Sequence, residues 1–276
     1  MAAALAPPQP QLQHAALRLS SRGIATQPLP TRNGNGTLTI TLDLLAHWAE
    51  IQHSGGEKWR IGLEGRTVAE VTDAVLTAAR RLGGELAINT APQEVSWTVP
   101  LDEDEQHHHY KPEQAERYFQ AATHAALVLA EYAAPFRGHQ TPVNLWWGSF
   151  DLSVSLFSGF DAQPPSQDFI TRDSMDCQEI AVGWWPGDPN YPKAAFYAYA
   201  HPAPEGYEST VIEPPVAHWE PQLGEFVLDW SDVIHSHSPQ ALALQFVRGI
   251  FHQVSGACAW PPALTATMVG DPPPIR

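Results

Sequence analysis

The strongest constraint on how this chain folds is a period of two that recurs in three runs of its second half. From Val143 to Phe157, one parity holds Phe150, Leu152, Val154 and Leu156, and the other holds Trp147, Ser149, Asp151, Ser153 and Ser155. Successive side chains of a strand point to opposite faces, so a strand here has one apolar side and one side of acid, hydroxyls and indole. Glu179 to Trp185 divides the same way, with Ile180, Val182 and Trp184 against Glu179, Ala181, Gly183 and Trp185. Ala194 to His201 sets Phe196, Ala198 and Ala200 against Tyr197, Tyr199 and His201. Glu225 to Trp230 also has strand character, and Gly-, Pro- and Asp-rich connections separate all four runs.

The rest of the chain supplies the partners for such a sheet. Thr37 to Leu42 alternates, with Leu38, Ile40 and Leu42 on one face; Lys58 to Leu63 and Leu86 to Asn89 read as further strands, and Asn33-Gly34-Asn35-Gly36 as a hairpin turn. Thr67 with Glu70 forms a capping box ahead of the apolar stripe Val68, Val71, Val75, Ala78 and Leu82, and Gly83-Gly84 ends that helix. A second helix opens at Pro112 and carries Tyr118, Ala122, Ala125, Leu129 and Tyr132 until Pro135; a third runs from a cap at Ser238 to about Ser255. Strands grouped together, without regular alternation with helices, predict the α+β class: a largely antiparallel sheet with flanking helices, one compact unit of two lobes at about 14–100 and 101–260. Residues 1–13 read as a disordered tail and 261–276 as a Pro-rich one.

Composition narrows the functional classes. Fifteen Lys+Arg against 30 Asp+Glu give a formal charge of −15, which repels nucleic acid over most of the surface. No apolar run approaches the roughly 20 residues of a membrane span, and Met1 to Leu19 lacks a basic segment ahead of an apolar one, so a cytoplasmic protein is expected. Cys177 and Cys258 have no metal-type spacing and read as reduced thiols. The GxSxG, GxxxxGK[ST], HExxH and GxGxxG motifs are all absent.

If the three alternating strands are neighbours, one surface gathers Asp151, Glu179, His201, Tyr197, Tyr199, Trp147 and Trp185 over a floor of small residues. Small-molecule pockets use this mixture, and carboxylates among aromatic walls gain proton affinity and serve as acid or base. The competing reading is a half-exposed sheet whose rings are simple cross-strand packing. Two His-x-His pairs, His107/His109 and His235/His237, would direct both imidazoles to one side if they lay on strands and so leave a divalent metal open, although no third ligand stands at a diagnostic spacing.

The segment Trp147-Gly148-Ser149-Phe150-Asp151-Leu152, followed by Phe157-Ser158-Gly159, resembles a widespread bacterial family of uncharacterised proteins. The resemblance extends from Ser21-Arg22-Gly23 through Leu101-Asp102-Glu103-Asp104, His107, Tyr110, Trp185-Pro186-Gly187, Tyr197 and Tyr199 to Gly224-Glu225-Phe226. It implies the α+β class and a bacterial cytosol, and brings no reaction with it. Asp102, His107, Tyr110, Asp151, Glu179 and Trp185 match its motif, whereas Cys177-Gln178 stands where the family pattern has Ser-His.

Together these readings predict a small-molecule enzyme with Asp151, Glu179, His107, His201 and Tyr199 as its acid–base set and Trp147, Ser149, Trp185, Tyr197 and Tyr110 holding the ligand. The alternative is a non-catalytic module that binds a small ligand or a protein on the Trp/Tyr-rich face. Metal content, cofactor and oligomeric state are left open by the sequence.

Overall fold

The structure is a computed structural model and describes residues 1–93, 95 and 97–268. Among the described residues it has twelve strands, paired antiparallel, and seven α-helices, an α+β protein. The chain divides into two compact units: Met1–Thr123 with Leu145–Ser149, and His124–Asn144 with Phe150–Arg276.

The first unit begins with a helical turn, α1 (Ala2–Leu5), then β1 (Leu17–Ser20), β2 (Gly23–Thr26), β3 (Leu29–Pro30), β4 (Thr37–Asp43), β5 (Trp48–His53) and β6 (Lys58–Gly62). These pair in the order β1-β2-β4-β5-β6, with β3 beside β4 across the Asn33–Gly36 turn. Leu145, from the two-residue strand β7 (Asn144–Leu145), pairs with Leu17. Helix α2 (Val68–Gly83) packs on β4, β5 and β6, so Leu38, Ala49, Ile51 and Ile61 meet Leu76, Ala78 and Ala79 in one core. Met1, Ala4 and Leu5 also pack on this core. The expected disordered tail is therefore partly structured, because its few apolar side chains find buried surface. Leu86 to Asn89 forms no strand.

Helix α2 starts where its capping box predicts: Thr67 accepts from the Glu70 N–H, and the Glu70 carboxylate accepts from the Thr67 N–H at 2.9 Å. Carbonyls of His107 and Asp104 take the Val68 and Ala69 N–H groups, so two more orphan donors of the first turn are satisfied. Thr67→Ala removes one of these caps and is expected to lower stability by about 1 kcal/mol, read as a shift of the urea midpoint with an unchanged slope.

Helix α3 (Pro112–Ala133) leads on to the second unit, whose elements are β8 (Leu152–Asp161), α4 (Phe169–Ser174), β9 (Cys177–Trp185), β10 (Ala195–His201), β11 (His218–Glu220), β12 (Glu225–Asp229), α5 (Trp230–His235), α6 (Pro239–Ala257) and α7 (Pro262–Thr265). The sheet order is β8-β9-β10-β12-β11. Its apolar face carries Leu152, Val154, Leu156, Ile180, Val182 and Phe196, all fully buried, and α6 packs on β9 and β10 with Phe246, Ile250 and Phe251. Phe251 meets Tyr132 and Phe136 edge-on, so the rings of α3 and the segment after it close the same core. The Ser238 side chain makes no cap bond; Pro239 fixes the first turn of α6 instead. Of the expected Pro-rich tail, residues 262–268 are helical and Met268 is buried; the remainder lies outside the described residues.

One expectation fails at its centre. The run from Val143 to Phe157 is not continuous, because Trp147, Gly148 and Ser149 form a turn and Phe150 takes a left-handed backbone, φ 55°. Strand parity does not carry through such a turn. Phe150 is 42% exposed rather than part of the core face, and Trp147 and Ser149 lie on no strand.

Candidate functional site

Antiparallel register, set by apolar residues that must all face the core, decides which polar side chains share the other face of the second unit's sheet. Ser153 faces Gly183, which faces Tyr197; Ser155 faces Ala181, which faces Tyr199; Phe157 faces Glu179, which faces His201. Phe226 pairs with Ala198, so Glu225 stands one step on, beside Tyr199. Asp151 keeps the parity of Ser153 and reaches the same face. Asp151, Glu179, Tyr197, Tyr199, Trp185 and His201 are thereby gathered on one surface.

The centre of this surface is a phenol on a carboxylate. The Tyr197 hydroxyl donates to Asp151 Oδ2 at 2.5 Å, with both residues buried. The ring reaches across β9 because Gly183 leaves it room: a Cβ at that position would lie 2.3 Å from Tyr197 Cζ and 2.3 Å from the Leu152 carbonyl oxygen. Tyr199 stacks parallel to Tyr197, centroids 6.5 Å apart at 3°. Trp185 and Tyr191 pack at 5.5 Å, and with Ala195, Tyr197 and Val227 they form an aromatic cluster that Tyr199 and Leu223 border.

Burial and like charge shape the proton chemistry. Glu179 is 5% exposed, and desolvation pushes its carboxyl up to about 7; a Ser155 hydrogen bond pulls against this and the Asp176 charge adds to it. Glu225 is raised to about 7 as well, by burial and then by the charge of Asp151. Desolvation together with the neighbouring carboxylates holds the Tyr197 and Tyr199 hydroxyls well above their ordinary range, so both remain protonated donors. The face thus offers two acids able to exchange a proton near neutrality and two phenols that do not ionise.

At one end, Asp229 is shared. It accepts from the Tyr191 hydroxyl at 2.5 Å and from Lys193 Nζ at 2.7 Å. Gly187, at φ 92°, makes the sharp turn in the Trp185-Pro186-Gly187 connection, since a Cβ there would strike the Lys193 carbonyl at 2.6 Å. That turn returns Tyr191 and Lys193 to Asp229.

His201 lies opposite Glu179 in register, yet its Nε2 meets the Gln163 carbonyl at 3.0 Å. His107, Tyr110, Trp147 and Ser149 belong to the first unit. His107 Nδ1 bonds Asp104 at 2.6 Å and braces the loop that caps α2, and the Tyr110 hydroxyl meets His47 Nδ1 at 3.1 Å. Neither His-x-His pair is on a strand: the His108 and His109 rings meet at a tilt in a loop, and His235 is in α5, bonded to the Ser231 carbonyl. Among the described residues no three His, Cys, Asp or Glu side chains group as metal ligands.

Sequence reasoning left out Glu225, Tyr191 and Asp229. Glu225 was within reach, because the parity test applied to Glu225, Val227 and Asp229 puts both acids on the face of Tyr197 once β12 is known to adjoin β10. Tyr191 sits in a loop, where no periodicity marks its direction.

The model of the Family of unknown function (DUF5996) matches residues 1–267. The chain belongs to that family. It matches no curated protein and no solved structure. Within this DUF5996 chain no helix among the described residues is long and apolar enough to cross a membrane.

Proposed function

We propose that the polar face of β8, β9, β10 and β12 is an acid–base site for a small polar molecule, with Glu179 as the proton-exchanging group and the Tyr197–Asp151 pair as its orienting clamp. The observation that carries this reading is the buried phenol–carboxylate hydrogen bond laid over Gly183. A fold alone does not require a phenol to cross a neighbouring strand and end on a carboxylate. A carboxyl near 7 is half-protonated at neutral pH, which suits it to give or take a proton in a transition state. Tyr199 and Glu225 extend the donor set on the same rows of the sheet, and Trp185 supplies an apolar wall.

A second reading, favoured by the Trp185, Tyr191 and Tyr197 cluster, is a module that holds a ligand without converting it. One experiment separates the two. Small polar metabolites are screened by thermal shift, and each hit is followed by proton NMR for conversion by the wild type, Glu179→Gln, Tyr197→Phe and Trp185→Ala. The enzyme reading expects conversion that falls on the order of a hundredfold in Glu179→Gln while the hit still binds. Hits that bind without conversion, and are lost only in Trp185→Ala, leave the binding module. Hits indifferent to all three variants overturn both.

A further inference from the structure

On the helical side of the second unit's sheet, α3, α5, α6 and β10 leave a cavity of about 320 Å³. Its floor is aromatic and fixed: Trp230 lies 5.9 Å from Phe196 and meets the buried ring of Trp184 edge-on at 5.7 Å. Val128 and Val233 form its walls, and Leu127 and Ile234, 60% and 50% exposed, stand at its mouth. A concave, largely apolar pocket that is open to solvent and has a few polar groups at its rim is the usual form of a small-molecule site.

Its dimensions limit the occupant. A dry apolar cavity of about 150 Å³ accepts benzene, so this one has room for about twice that. His124 and Gln240 supply polarity at the rim, and the Gln240 amide already donates to Glu131 at 2.6 Å, which leaves its carbonyl as an acceptor.

We infer that this cavity is a binding site for a flat, uncharged, two-ring-sized apolar molecule with a single hydrogen-bonding group at its outer edge. Trp230 takes a ring face between the Val128 and Val233 walls, and the polar edge meets His124 or the Gln240 carbonyl. The site is separate from the acid–base face, because Phe196 has the opposite parity to Tyr197 on β10.

The probe is 2-naphthol, titrated into the full chain by calorimetry. One-to-one saturation is expected, and Ile234→Trp, which sets an indole in the mouth at an exposed position, weakens it at least tenfold. Leu127→Trp on the other side of the mouth repeats the test with an independent fold, and Val211→Trp, an indole added at a different exposed apolar position, leaves binding unchanged. Absence of saturation up to the solubility of 2-naphthol, or wild-type affinity in both mouth variants, overturns the assignment.

Discussion

Gly183→Ala is expected to lower the melting temperature by roughly 6–12 °C and to abolish ligand binding on the polar face of the second unit's sheet. The added methyl would sit 2.3 Å from the Leu152 carbonyl oxygen, which is backbone of an adjoining strand, and 2.3 Å from Tyr197 Cζ. Only one of these obstacles can move. The ring can swing away at the loss of its bond to Asp151, whereas the carbonyl moves only if the β8–β9 pairing shifts. Overpacking of this kind costs about 1–3 kcal/mol, and a buried carboxylate left without its phenol adds to it. A double-mutant cycle separates the parts: Tyr197→Ala removes the ring from the clash, so Gly183→Ala should be less damaging in that background. Equal losses in both backgrounds would show that the ring does not lie over bare backbone, and the clamp would fall with it.

What the sequence could reveal follows from which physical rules are local. Strand parity is local, so Glu179, Trp185, Tyr197 and Tyr199 were assigned to one face from residue order alone, and the β8-β9-β10 meander then brought them together. The capping box at Thr67 and the glycines at 83 and 84 likewise fix α2 at both ends. Parity fails where the backbone leaves the strand, and nothing in the run Trp146 to Asp151 announces that Phe150 turns left-handed; the glycine expected at such a turn is two residues earlier, at Gly148. Loop-borne partners were the least legible. Tyr191 and Lys193 reach Asp229 across 38 and 36 residues, and the Asp104–His107 brace acts on a helix that precedes it in the chain. Those contacts depend on tertiary closure, which periodicity does not encode.

The second large effect is a loss of stability as pH rises, and its sign follows from burial. The Glu179 carboxyl is held at about 7 in the fold against 4.5 in the unfolded chain. Below about 4.5 it is protonated in both states and its contribution is fully present. Between 4.5 and 7 the unfolded chain releases a proton that the folded chain keeps, so stability falls with rising pH, and above 7 the loss is complete. A displacement of this size corresponds to on the order of 3 kcal/mol. Glu225 acts in the same direction and window, discounted for its partial exposure. Asp43 and Asp229 act oppositely. Burial alone would raise both, but charged partners, Arg22 for one and Lys193 for the other, bring them below 3.8, so their contribution is lost only on acidification beneath that window. Urea midpoints of the wild type and of Glu179→Gln, measured from pH 4.5 to 8, isolate the term, because glutamine keeps a partner for Ser155 and removes the ionisation. The two proteins should coincide near pH 4.5 and diverge through neutrality, with the variant the more stable at pH 8. Parallel curves across the whole range would mean that Glu179 ionises as freely as in water, and its role as the proton-exchanging group could not stand.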